Sequence, residues 1–266
     1  MIVTADRWSF GGVDLSSYAY LVSAIGEADD LPPLRGDDLV VPYRAGAVWM
    51  PKVHGPRRFS LGLWVSSSPA LGGDGTVDQA QANLDALRQL FALPGLRALV
   101  RTLPDGSTRT AMAEVVSFQV NEIVGRREGF VAVADFSLPD PHFYGGDIVT
   151  DRTIASSPHS FNLSNPGTVR TSKLAISATG PLSNLRLTQT ATGIWVEALV
   201  TVPAGKVLVI DTDKATAVLD GTSVVQSIRH SGDVRWWLLE PGTNPITIES
   251  GTTGGQVSIV FAPAYL

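Results

Sequence analysis

The sequence predicts a mainly β protein in two parts. Residues 1–145 read as a β-rich N-terminal domain with one α-helix, and residues 159–266 as an antiparallel β-sandwich. Three observations carry this reading. First, 26 Gly and 17 Pro are scattered over 266 residues without a period, as expected where turns join short strands. Second, 44% of residues are hydrophobic and only 17% charged, which suits packed cores and not a disordered chain. Third, one segment alone carries a helical period, while most others alternate as strands do. A domain usually takes roughly 100–200 residues, so this length favours two.

The helix is expected over about 77–92. In TVDQAQANLDALRQLF, Val77, Ala80, Leu84, Leu87 and Phe91 recur at spacings of three and four and so share one face. Thr76 with Gln79 reads as a capping box, Pro94-Gly95 as a stop, and Gly72-Gly73-Asp74-Gly75 as a flexible loop leading in. Ahead of it, RFSLGLWV (58–65) alternates, with Phe59, Leu61, Leu63 and Val65 on one side. Residues 98–103 and 110–120 flank Pro104-Asp105-Gly106-Ser107 and predict a hairpin. GFVAVADFSL (129–138) sets Phe130, Ala132, Ala134 and Phe136 on one face and Val131 and Val133 on the other. Residues 146–158 are richer in small polar residues and read as a linker. Beyond them, strands are expected at 173–178, 184–189, 194–200, 206–210, 215–219, 234–239, 246–249 and 256–261. Such close spacing without a helical pattern predicts a sandwich or jelly roll.

Composition excludes several functions. The net charge of −5 lacks the basic excess that neutralises phosphates, so specific nucleic-acid binding is not expected. The absence of cysteine removes disulfides, thiolate metal sites and cysteine nucleophiles. No apolar run is long enough for a transmembrane helix, and MIVTADRWSF lacks the pattern of a signal peptide, so the chain is expected to be made and soluble in the cytoplasm without a membrane partner.

Catalytic signatures fail in turn. There is no G-x-S-x-G elbow and no H-E-x-x-H, and of the four histidines only His142, two residues after Asp140, invites an acid/base reading. Turn capping by Asp140 between two prolines explains that pair better. Asp211, Asp213 and Asp220 lack the further ligands of a calcium loop and read as turn residues. The glycine loop before the helix has no phosphate-binding pattern, and Asp74 would repel an anion. No catalytic residue, metal ligand or cofactor is therefore expected. Two binding features remain. Lys52, His54, Arg57 and Arg58, continuing into Phe59 and Leu61, form a candidate inter-subunit contact, because Pro stiffens the PKVHGPRR loop for docking. Trp195 and Trp236 are candidate exposed contacts or a weak sugar platform, with the adjacent Trp237 expected to point the opposite way into a core.

Several segments together resemble the distal tail protein (Dit) family of bacteriophages with long, non-contractile tails. VVPYRAGAVW, the basic loop and RFSLGLWV are similar to that family's belt domain, in which a strand ending in a P-x-R-x-G turn leads to a hairpin and then the helix. PDPHFYGG (139–146) resembles its D-P-x-x-Y exit from the first domain. SNPGTVRTSKLAISATGPLSNLRLTQ resembles the opening of its galectin-like C-terminal domain, with Leu174 where proline is common. Trp237-Leu238-Leu239-Glu240-Pro241-Gly242-Thr243-Asn244-Pro245-Ile246 follows its closing W-x-L-x-P-G-x-N-x-I. The resemblance implies a structural virion protein at the tail tip, not an enzyme. Its belt domains would form a homohexameric ring joining the tail tube protein to the baseplate hub or tail-associated protein, and receptor-binding or fibre proteins would be further partners. Strands such as RFSLGLWV could pair across that ring as free edges. The competing readings are a carbohydrate-binding or host-surface adhesion module centred on Trp195 or Trp236, and a glycoside hydrolase, for which no carboxylate pair stands out.

Overall fold

The computed structural model describes residues 6–17, 19–26, 28–122, 129–231 and 236–266. The chain divides into two compact units, Met1–Phe143 with Leu266, and Tyr144–Tyr265.

The first unit contains β1 (Arg7–Phe10), β2 (Val13–Asp14), β3 (Tyr20–Gly26), β4 (Leu34–Arg35), β5 (Leu39–Val40), β6 (Ala47–Val48), β7 (Val53–His54), β8 (Arg57–Ser66), α1 (Val77–Ala92), β9 (Arg97–Thr102), β10 (Thr108–Glu122) and β11 (Gly129–Leu138). Its barrel-like sheet runs β2-β1-β9-β10-β11-β8-β3. β10 spans 15 residues and passes from β9 to β11 along its length. Thr108–Ala113 pair with β9 and Glu114–Glu122 with β11, and a bulge between Val115 and Ser117 bends the strand from one to the other. The expected alternation of β8 holds: Phe59, Leu61, Leu63 and Val65 are all closed off from solvent. Its expected edge position does not. β8 is hydrogen-bonded along its length to β11 on one side and to β3 on the other, so its ladder offers nothing to a second chain.

Helix α1 forms where its period predicts. Ala80, Leu84, Leu87 and Phe91 are buried, whereas Val77 at the first turn is exposed. Phe91 packs edge-on against Phe10, Phe118 and Phe136, with ring centroids 5.2–6.0 Å apart. Burying each of Leu84, Leu87 and Phe91 stabilises this packing by about 1.5–3 kcal/mol. Thr76 caps the helix, its Oγ1 accepting the Gln79 N–H at 3.1 Å. The reciprocal arm of the box goes elsewhere: Gln79 Oε1 accepts from Asp74 N, and Asp74 Oδ1 accepts from Thr76 N. The glycine run before the helix is a tight turn instead of a flexible loop. Gly73 N donates to Ser68 O and Gly75 N to Ser67 O, and a Cβ on Gly73 would stand 2.2 Å from the Ser67 carbonyl oxygen.

β12 (Phe143–Tyr144) falls at the division in the chain. The second unit holds β13 (Ile148–Thr153), β14 (His159–Asn165), β15 (Leu174–Thr179), β16 (Leu182–Gln189), β17 (Ile194–Val202), β18 (Val207–Asp211), β19 (Thr216–Leu219), β20 (Thr222–Ser223), β21 (Ile228–His230), β22 (Gly242–Glu249), β23 (Gln256–Phe261) and β24 (Ala264–Tyr265). Two sheets, β13-β23-β15-β18-β19-β20 and β14-β22-β16-β17-β21, enclose one core that includes Leu187, Val196, Ile210, Trp237, Ile248 and Phe261.

Two expectations need correction here. The supposed linker contains β13, paired residue for residue with β23 from Ile148↔Phe261 to Thr153↔Gln256. It is an edge strand with one neighbour, and an edge accommodates the small polar residues that made it look like linker. The strand expected at 234–239 is not seen among the described residues. Its first two positions lie outside the described residues, and from Trp236 to Leu239 the chain is irregular, joined only by a bridge from Leu239 to Thr171.

Candidate functional site

The most unusual surface is in the first unit. Between β4 and β7 the chain runs out and back as a two-part hairpin, hereafter the arm. Leu34 pairs with His54 and Arg35 with Val53 at its foot; Leu39 pairs with Val48 and Val40 with Ala47 farther out. The pairing shifts by one residue between the two ladders, because Leu34 and His54 sum to a different register than Leu39 and Val48. The arm's side chains find no core. Leu34, Leu39, Val40, Tyr43, Trp49 and Val53 are all exposed, Val40 and Trp49 to 70%. Apolar residues stand on both faces of this hairpin, which a sheet packed on its own domain would not allow. Closing eight or so such side chains against a partner would release on the order of 10 kcal/mol before ordering costs are subtracted. Contiguous apolar surface of this kind marks an interaction site.

The basic cluster splits around the foot of the arm. Lys52 is on the arm and pairs with Asp38, Nζ to Oδ2 at 3.4 Å, and the Asp38 carboxyl is lowered by the backbone N–H of Met50 and by Lys52. His54 lies half-buried beside His142. Arg58 is exposed at the start of β8. The other three are unavailable to any second chain. Arg57 is only 2% exposed; its guanidinium donates to the carbonyls of Ala28 and Asp30 and lies over the rings of Phe59 and Phe143. Phe59 and Leu61 face the same interior. The sequence pattern cannot separate Arg57 from Arg58, since adjacent strand residues point to opposite faces and the choice of face is made by the fold.

Asp140 does cap its turn, accepting the His142 N–H at 3.3 Å, and His142 Nδ1 also lies 3.2 Å from the same oxygen. Among the described residues no three His, Cys, Asp or Glu side chains converge to hold a metal ion, and no helix is long and apolar enough to cross a membrane. Asp211 accepts from the backbone N–H of Asp213 and of Lys214, as a turn aspartate does.

In the second unit the two candidate tryptophans already have ring partners. The Arg186 guanidinium lies 4.4 Å over Trp195, and His230 stacks on Trp236 at 6.2 Å and 22°. Trp237 is fully buried in the core, and Trp236 is half-buried and packs against the same core. The residues around it explain the closing motif physically. Asn244, fully buried, accepts from Glu240 N at 2.9 Å and from Gln189 Nε2, and donates to the carbonyls of Glu240, Gly242 and Leu163. It ties the Pro241-Gly242 turn to β14 and β16. Asn165 does similar work, accepting Gly167 N at 2.9 Å and donating to Glu240 O. Gly167 must be glycine, because a Cβ there would meet the Ala264 carbonyl oxygen at 2.5 Å.

This architecture defines a class: a two-unit, mainly β protein with an α-helix and a C-terminal two-sheet sandwich. Residues 166–265 match the family described as siphovirus-type tail component, C-terminal domain. The whole chain shares its fold with the crystal structure of the Dit protein of SPP1, described as a paradigm of the hub adsorption apparatus in phages that infect Gram-positive bacteria. The TM-score is 0.72 at 17% identity, over 98% of this chain and 100% of that one. The phage P2 baseplate in its activated conformation is more distant. With Ca the TM-score is 0.45 at 8% identity over 97% of this chain and 98% of that one; with Sr it is 0.46 at 9% over 96% and 98%. No curated protein matches the chain. Residues 166–265 thus resemble the C-terminal domain of siphovirus-type tail components, and the chain as a whole shares the fold of the SPP1 Dit protein.

Proposed function

We propose that six copies of the first unit assemble into a closed ring at the distal end of a long, non-contractile tail, joining the tail tube to the baseplate hub or fibre. The observation that carries this is the arm: an apolar hairpin that its own unit leaves in water. A ring interface is heterologous, so each copy presents the arm and receives a neighbour's arm on a different patch. Lys52, His54 and Arg58 sit at or beside the arm's foot and belong to the polar rim of that contact. The acidic balance of the chain suits a channel that must let DNA pass without binding it. The second unit, a sandwich closed by its own core and hydrogen-bonded turns, meets receptor-binding or fibre proteins. Electron microscopy of the purified chain tests this. Six-fold rings with an open centre are the expected result; particles of a single copy at high protein concentration would refute it.

A further inference from the structure

His54 and His142 meet although 88 residues separate them. His54 is the last residue of β7, at the foot of the arm, and His142 follows Asp140-Pro141 beyond β11. His54 Nδ1 lies 3.3 Å from His142 Nε2, and the rings cross at 66° with centroids 5.5 Å apart. On its other side His142 reaches Asp140. With both rings neutral the polarity is consistent along the chain. His142 donates its Nδ1–H to the Asp140 carboxylate, and its bare Nε2 accepts the Nδ1–H of His54. One added proton is accommodated, since His142 can donate from both nitrogens while His54 changes tautomer and accepts. A second proton is not. It would set two N–H groups against each other and two cations within one ring contact, at a half-buried place where water screens them poorly.

The charged and titratable groups on the neighbouring segments include Arg35 on β4, Lys52 with its partner Asp38, Arg57 and Arg58 at the start of β8 with Asp29 and Asp30 beside Arg57, and Asp140 and His142 themselves. Asp38 is engaged by Lys52, and Asp140 faces His142.

We infer that the Asp140–His142–His54 chain is an acid-released latch, which fixes the foot of the arm to the first unit and lets it go when both imidazoles are protonated. A released arm must be ordered again before it can dock, so self-association weakens in acid; this second step rests on the proposed role of the arm, and the latch itself does not. Burial, and after it the neighbouring His142, hold His54 below its ordinary imidazole value. The contact's contribution is thus fully present above the ordinary value, about pH 6.5, and is lost as the pH falls through the lowered one.

Amide hydrogen exchange of the full chain reads the latch directly. The reporter is Gly55, whose N–H donates to Pro33 O at 2.7 Å beside the arm's foot, measured from about pH 7.5 to about pH 5 and corrected for intrinsic exchange. Protection at Gly55 is expected to fall by up to about tenfold per pH unit as the pH drops below the ordinary imidazole value, about pH 6.5, and to level off below the lowered one, while amides within β8 hold. In His54→Gln and in His142→Gln, where an amide replaces one imidazole, protection should not vary with pH. Constant protection in the unaltered chain, or the same loss in both variants, overturns the latch. Sedimentation in the same buffers separates the two ideas. A chain that is monomeric at neutral pH overturns the role of the arm and leaves the exchange result standing. Association that weakens in acid only where both histidines are present is the result expected of both, and association untouched by acid while Gly55 opens overturns the link between them.

Discussion

On the arm, Leu39, Val40, Tyr43 and Trp49 stand in water; in the sandwich, Leu187, Val196, Ile210 and Trp237 are closed between two sheets. The side chains are of the same kind and both regions are antiparallel β. The difference is what each ladder can pack against. Every long strand of the sandwich has a facing sheet within its own unit, so period-two alternation sends one face inward and leaves to solvent an outer face with only scattered apolar side chains such as Val149, Leu199 and Val209. The arm is two residues wide at each ladder and has no facing layer, so its apolar side chains project from both faces. A hairpin this thin is marginal by itself. Its hydrophobic surface makes physical sense when another copy supplies the missing layer.

Substitutions can break this contrast on either side. The largest effect is expected for Trp237→Ala, which empties the centre of the sandwich core and should destabilise that unit by about 3–5 kcal/mol, seen by circular dichroism as an earlier denaturant midpoint for its transition. Asn244→Ala comes next. It leaves the Glu240 N–H and three carbonyls without their buried partner and should cost about 2–4 kcal/mol, with urea unfolding as the check. Thr76→Ala removes the cap of α1 and should cost about 1 kcal/mol, in the transition of the first unit only. Tyr43→Asp combined with Trp49→Asp should change the stability of the monomeric chain by less than about 0.5 kcal/mol, because neither side chain packs on the unit that carries it. If that double change instead destabilised the monomer as a core substitution does, the contrast between arm and sandwich would be wrong.

Much of the fold was legible because period carries it. The face of α1, the buried row of β8 and the Asp105 turn all follow from local spacing; Asp105 accepts from Ser107 as the turn chemistry requires. The two-residue strands were not legible, since no period exists in two residues. Nor were β1 and β3, whose lengths of 4 and 7 residues give too little alternation, broken further in β3 by a bulge between Val22 and Ala24. The strand β13 was hidden by its polar edge composition. At the candidate site, the basic character of the loop was visible, but the sequence could not say that Arg57 turns inward while Arg58 turns out. The meeting of His54 with His142 has no local signal at all, because it depends on how β7 and the end of β11 are brought together. The exposed apolar runs of the arm were readable in principle. Leu39-Val40-Val41 and Val48-Trp49-Met50 are apolar without alternation, which fits neither a core strand with one wet face nor a solvated loop.

The most direct test compares the full chain with its Tyr43→Asp, Trp49→Asp variant by sedimentation and electron microscopy at neutral pH. If the arm carries self-association, the unaltered chain forms six-fold rings and the variant, with an unchanged circular dichroism spectrum and unfolding midpoint, remains a single copy. Rings that form equally well in the variant would contradict it.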